Sequence, residues 1–325
     1  FAFGVADADL QVIGEQFTHK EENSEQSMWD HFAKTSGKVH GNETPEIGVN
    51  RYQKWQDDIA IMKELGIKHY RTSISMNRLL KKNGELNSKA ITWYQRYFKA
   101  LQSSDIAIYL TLYHWELPQF LSEKGGWKNR SILDDIVKFT NAAAIHLGEY
   151  ITEYFLFNEP RHISFRSYYD GLQAPGETDL GGAILAAHHV LLAHGLSCEA
   201  IKKINPSAKI SSVLNMSPCY PYSQSEENRN ATRIANQVRN DWFGDPLYFG
   251  HYPKEIIELF GDKMPKISPE DMKVIHIGDR LHAMAINYYK GAHIQSAPDD
   301  PLRFQLREPE VGEKNDLGWA IYKPP

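Results

Sequence analysis

YITEYFLFNEP, residues 150–160, decides how the rest of this chain is read. Residues 150–157 are mostly aromatic, β-branched or apolar, the composition of a strand. The run stops at Asn158-Glu159-Pro160, where proline cannot extend a ladder. A carboxylic acid therefore stands at the C-terminal tip of a strand. Where parallel strands alternate with helices, such tips converge on one face, and that face carries the chemistry.

The alternation is readable on both sides of this run. Residues 1–4 lead a short first strand, and a polar stretch from His19 to Asn50 reads as a long loop. Tyr52, Trp55, Ile59 and Met62 recur at helical spacing, and Gly66 ends that helix. Strands are expected at 67–75, 106–113, 150–157, 208–215 and 281–289, with helices at 88–101, 132–147 and 181–204 between them. Residues 220–278 read as loop-rich and partly helical. The strands are nearly continuous apolar runs, as a parallel sheet covered on both faces requires. Six βα-type units in order, with no internal repeat, give the fold class α/β with a parallel sheet. The residues after 289 contain little strand-like sequence, so a (β/α)8 barrel could not be completed from them.

Composition narrows the function. The chain has 325 residues, 42% hydrophobic and 24% charged, enough for one large domain over residues 1–325. A net charge of −5 gives no polyelectrolyte footprint, so no nucleic-acid partner is expected. The two cysteines imply no disulfide framework. No run of 18 apolar residues predicts a membrane span, and no secretory signal is visible at the start. A cytoplasmic location is the resulting expectation, and the sequons at Asn42, Asn129, Asn215 and Asn230 read as chance matches. No His/Cys/Asp spacing suits a metal and no glycine-rich loop suits a phosphate, so neither metal nor cofactor is expected.

Polar and aromatic residues follow each strand. Gln11 comes after the first, Arg78 near the second, His114-Trp115-Glu116 after the third, Glu159 after the fourth, and Asn287 and Tyr289 close the sixth. Amide and imidazole groups suit hydroxyls, and flat rings suit a sugar face. Arg71 reads equally as a structural or a functional charge. His188, His189 and His194 read as packing and surface residues of the long helix.

The ordered motifs resemble glycoside hydrolase family 1, the β-glucosidase family. They include ELGIKHYRTSIS (64–75), LTLYHWELPQ (110–119), GGWKNR (125–130), FNEP (157–160), AHHVLLAHG (187–195), VLNMSP (213–218), HYP (251–253) and INYY (286–289). The resemblance implies a TIM barrel and retaining hydrolysis of β-glycosides, with a β-glycoside or small sugar as the partner. Glu159 matches the general acid/base, and Asn158 the residue that binds the 2-hydroxyl. Gln11, His114 and Trp115 match the sugar subsite, and Asn287 and Tyr289 the pair beside the nucleophile.

The chain also departs from the pattern. Arg161 stands where an aromatic follows the Asn-Glu-Pro motif, Met76 replaces a Trp, Val49-Asn50 replaces an acidic-His pair, and residues 7–10 read DADL. The nucleophile expected in a Thr-Glu-Asn-Gly motif on strand seven is not found, and Glu308, Glu310 and Glu313 lie in no comparable context. Three readings stay open. One is an enzyme with reduced or lost activity in this chain alone. Another is a non-catalytic broken-barrel sugar binder. The third is a chain whose remainder is cleaved, disordered or unrecorded. Open edges at strands one and six would call for self-association or a C-terminal partner segment.

Overall fold

The computed structural model describes residues 2–308 and 313–321. Phe1, Glu310 and Lys323-Pro324-Pro325, which entered the sequence reading, lie outside the described residues.

Six strands form one parallel sheet: β1 (Val5–Ala6), β2 (His69–Ser73), β3 (Ala107–Tyr113), β4 (Ile151–Asn158), β5 (Ile210–Asn215) and, after a short β6 (Cys219–Pro221), β7 (Ala283–Asn287). Their order is β1-β2-β3-β4-β5-β7, and every neighbouring pair is parallel. Right-handed βα crossovers make sequential strands into spatial neighbours. The first strand begins later than expected, at Val5 rather than within residues 1–4.

The sheet is curled. Arg71 on β2 donates to Asn287 on β7 at 3.2 Å, although four strand spacings separate them in the sheet order. Laid flat, those spacings would span about 19 Å, further than two side chains reach. The concave interior brings them together, as in a partly closed barrel.

Helices cover the convex face. On β3 Ile108, Leu110 and Leu112 are wholly buried, and each such side chain contributes roughly 1.5–3 kcal/mol. They sit in a core shared with the helices Ser88–Ser103 and Ile132–Leu147. The second helix keeps the sequence-based limits because Ile132, Ile136, Phe139, Ala143 and Leu147 recur on one buried face. Covering on both faces holds for β5, where all six residues are buried. It fails on β7, where Ala283, Met284 and Ile286 are exposed. The sheet edges are β1 and β7, as expected.

Helix Leu180–Ile204 is long and apolar enough to cross a membrane, but its apolar stretch is 83% buried inside the protein. It is the central core helix. His188, His189 and His194 are all buried, so none is a surface residue. His189 Nδ1 lies 2.8 Å from the Trp127 carbonyl, and His188 Nδ1 lies 2.9 Å from the Tyr252 hydroxyl. Gly195 permits the approach of helix Pro269–Ile275, since a Cβ there would lie 1.9 Å from the Val274 carbonyl oxygen.

Two further expectations are corrected. The polar stretch 19–50 is largely helical at its start, with helices Glu15–Glu22 and Met28–Lys34. Ser27 and Asp30 form a reciprocal capping box that starts the second helix. The residues after 289 do contain strands: β8 (Ala292–Ser296) and β9 (Phe304–Arg307) join β6 in a separate three-stranded sheet. β8 buries Ala292 and Ile294 and lies antiparallel to β9.

Candidate active site

The tips of β2, β3, β4, β5 and β7 meet around Glu159. Its backbone is in the left-handed region, φ +54°, and its amide donates to the Val213 carbonyl at 3.0 Å. A non-glycine residue there is strained by roughly 1–2 kcal/mol. The turn drives a carboxylate that is only 2% exposed into a set of donors.

Oε1 accepts from Asn287 Nδ2 at 2.7 Å and from Asn215 Nδ2 at 3.2 Å. Oε2 lies 3.0 Å from His162 Nδ1. Burial works against ionisation, but His162 and the two amides outweigh it and hold the Glu159 carboxyl at about 2. Burial also lowers the pKa of His162, keeping its ring neutral, so the ring contributes a dipole more than a charge.

Beneath the acid lies a polar floor. Asn158 Oδ1 accepts from Arg71 Nη2 at 2.6 Å and from Asn287 Nδ2 at 2.9 Å. Arg71 Nε donates to Thr111 at 2.9 Å. Arg71 thus ties β2, β3, β4 and β7 together, which gives the sequence-ambiguous charge a structural role inside the site. Burial lowers its pKa, and Glu159 opposes that shift.

Trp115, also left-handed at φ +77°, donates from Nε1 to the Asn158 carbonyl at 2.9 Å. Its ring stacks on His162, centroids 5.4 Å apart and planes 11° apart. His114 packs edge-on to Trp115, and burial followed by the Arg71 charge pushes it down to about 3, so it is neutral. Tyr289 is 60% exposed beside Trp319, and burial of its hydroxyl and the Glu159 charge raise its pKa.

His114, Trp115, Asn158, Asn287 and Tyr289 gather here around Glu159, but Gln11 is exposed on the short helix Asp9–Val12 after β1, and Arg78 and Glu116 are buried elsewhere, Arg78 paired with Asp9 and Glu22. His162 and Asn215 were missed. Asn215 is the last residue of β5, so the strand-tip argument used for Asn158 and Asn287 also identifies it. The site opens into a cavity of about 490 Å³ whose lining includes Trp115, Glu159, Arg161, His162, Tyr289 and Trp319. Among the described residues lining it, Glu159 is the one carboxylate.

These features match a known set of proteins. Glycosyl hydrolase family 1 matches residues 1–323. The chain belongs to this family. It is 33% identical to a β-glucosidase of Agrobacterium sp., over 100% of this chain and 70% of that protein. It is 34% identical to β-glucosidase A of Acetivibrio thermocellus, over 99% and 72%. Among solved structures, the family 1 β-glucosidase of Thermotoga maritima superposes with a TM-score of 0.92 at 31% identity, covering 99% of this chain and 71% of that one. Virulence factor SghA of Agrobacterium tumefaciens gives 0.94 at 32%, covering 99% and 72%, and SghA has also been solved with its substrate analog salicin. The family members are TIM-barrel glycosidases, and the six-stranded parallel sheet is the matching part of that barrel.

A different grouping escaped the sequence spacing. Ligand-type atoms of Glu15, His19 and Asp30 lie within 4.8 Å of one another. Asp30 is occupied by the Ser27 cap, and His19 Nδ1 lies 2.9 Å from the Ser24 hydroxyl.

Proposed function

We propose that this chain carries the acid/base half of a retaining β-glycosidase site, with Glu159 as the proton-transfer group. The observation that carries the reading is the Glu159 carboxylate at a strand tip, fixed through both oxygens and facing the open cavity. Retention needs a second carboxyl about 5–5.5 Å away as nucleophile. In the first step Glu159 gives its proton to the departing oxygen while the nucleophile bonds to the anomeric carbon. In the second it takes a proton from water as water displaces the nucleophile.

At about 2, Glu159 is ionised at neutral pH and suited to the second step. To serve as acid in the first step its pKa must rise, and an anionic nucleophile nearby has that effect. Asn158, His114 and Trp115 would hold the sugar through amide, imidazole and ring face, and Asn287 and Tyr289 would flank the nucleophile. Gln11 joins the sugar subsite only if its exposed side chain turns inward. A second reading, a sugar binder without turnover, draws support from Glu159 being the one carboxylate lining the cavity among the described residues.

The test is hydrolysis of a chromogenic β-glucoside by the full chain and by Glu159→Gln. General acid–base loss should lower the rate by about 10²–10⁴-fold. An unchanged rate in the variant would refute the assignment of Glu159. A wild-type chain that binds a glucoside without turning it over would favour the second reading.

A further inference from the structure

Three arginines converge on the cavity beside Glu159. Arg161 and Arg166 belong to the short helical segment that follows the Asn-Glu-Pro motif, and Arg239 comes from segment Gln237–Asp241. All three line the Glu159 cavity, and all three also line an adjoining chamber of about 190 Å³. The sequence marks one of them, since Arg161 replaces the aromatic that follows this motif in the family.

Their charge is poorly matched. The Nε of each arginine is shielded from solvent and has no hydrogen-bond partner. Arg166 Nη1 donates to Asp170 at 3.2 Å, and Arg161 Nη2 donates only to the neutral Asn215 at 3.3 Å. Arg239 lies beside the Cys219 thiol. Asp300 also lines the chamber, and its Oδ1 accepts the Leu302 amide at 2.7 Å. Lys290, on the cavity wall, is engaged by Glu308. Glu159 is taken up by His162 and the two amides. Burial and then the like charges of Arg239 and Arg166 bring Arg161 down to about 9.

A guanidinium with unspent N–H groups fits the fork of a carboxylate or phosphate. Binding such an anion would also relieve the mutual repulsion. The rest of the chamber wall is largely apolar, including Phe165, Tyr169, Leu302 and Phe304. Arg71 and Asn158, which form the floor, do not line this cavity. The adjoining chamber is lined by the three arginines but by none of Trp115, Glu159 or Tyr289, so it offers room for a group beyond those that hold the sugar.

We propose that Arg161, Arg166 and Arg239 form a subsite for an anionic group, a carboxylate or phosphate, on the leaving group of a β-glycoside whose apolar body fills the adjoining chamber. The assignment to the leaving group rests on the acid/base reading of Glu159; the anion subsite itself does not.

The test is calorimetric binding to the full chain at low salt, with 4-carboxyphenyl β-D-glucoside, phenyl β-D-glucoside, benzoate and inorganic phosphate as probes. The carboxylated glucoside should bind at least about tenfold more tightly than the neutral one. That gap should collapse in Arg239→Gln and in Arg166→Gln, each with an unchanged thermal melt, and should shrink in high salt. Displacement of benzoate by phosphate would show that phosphate competes for the same arginines. Equal affinities for the two glucosides overturn the subsite and leave the glycosidase reading standing. So does a gap that survives in both variants. Arginine-dependent binding of benzoate with no binding of either glucoside supports the subsite and sinks the glycosidase reading.

Discussion

Replacing His162 with Phe tests how the site holds its acid. The change keeps the flat ring stacked on Trp115 and removes the ring nitrogen that lies 3.0 Å from Glu159 Oε2. A hydrogen bond to a charged group contributes about 1.5–3 kcal/mol, and 1.36 kcal/mol corresponds to one pKa unit. The Glu159 pKa should therefore rise from about 2 into the range of about 3–4. The sign for stability follows from linkage. The carboxyl is depressed from its ordinary 4.5 to about 2, so its stabilisation is full above 4.5 and is lost as pH falls toward 2. That gap amounts to about 3 kcal/mol, and the His162 contact should account for about half or more. The assay is a double-mutant cycle of His162→Phe and Glu159→Gln by urea denaturation at pH 7, with the Glu159 carboxyl followed by NMR titration. The expected coupling is about 2 kcal/mol. A coupling below about 0.5 kcal/mol, with the pKa unmoved, would show that the amides alone hold the charge.

Two further predictions concern the scaffold. Glu116 is buried with neither oxygen hydrogen-bonded, and burial and then the Asp9 charge raise its pKa well above 4.5. Its folded-state stability is thus full below 4.5 and lost as pH rises, so Glu116→Gln should match wild type at pH 4 and exceed it by about 1 kcal/mol or more at pH 7.5. Equal urea midpoints at both pH values would contradict this. Gly195→Ala should cost about 1–3 kcal/mol through overpacking against Val274, read as a lowered melting temperature. An unchanged melt would mean that helix Pro269–Ile275 moves aside freely.

The sequence made the strand tips legible because apolar runs and breakers are local signals. Asn158, Glu159 and Asn287 follow directly from where β4 and β7 stop. What it could not show is convergence. Arg161 and Arg239 are far apart along the chain, and only the short helix after β4 and the segment Gln237–Asp241 bring them onto one cavity. The helix Glu15–Glu22 was hidden because its buried face is polar, and Met28–Lys34 because it is too short to show more than one apolar repeat, Met28 to Phe32. The first is anchored by buried ion pairs such as Arg78 Nη2 to Glu22 at 2.7 Å, the second by Met28 and Phe32 in the core. β8 and β9 were missed because each is short and offers few apolar residues to a period-two pattern.

The left-handed backbone at Glu159 has a consequence for directed evolution. A glycine there would release about 1–2 kcal/mol of conformational strain but would forfeit the about 3 kcal/mol that the ionised carboxylate contributes near neutral pH. A library ranked on heat resistance near neutral pH would therefore retain the carboxylate, while one ranked in strong acid, where that contribution is lost, would enrich sequences that have discarded the proton-transfer group. A search for acid-hardy variants of this protein must score turnover or ligand capture in the same round, or it will select for silence.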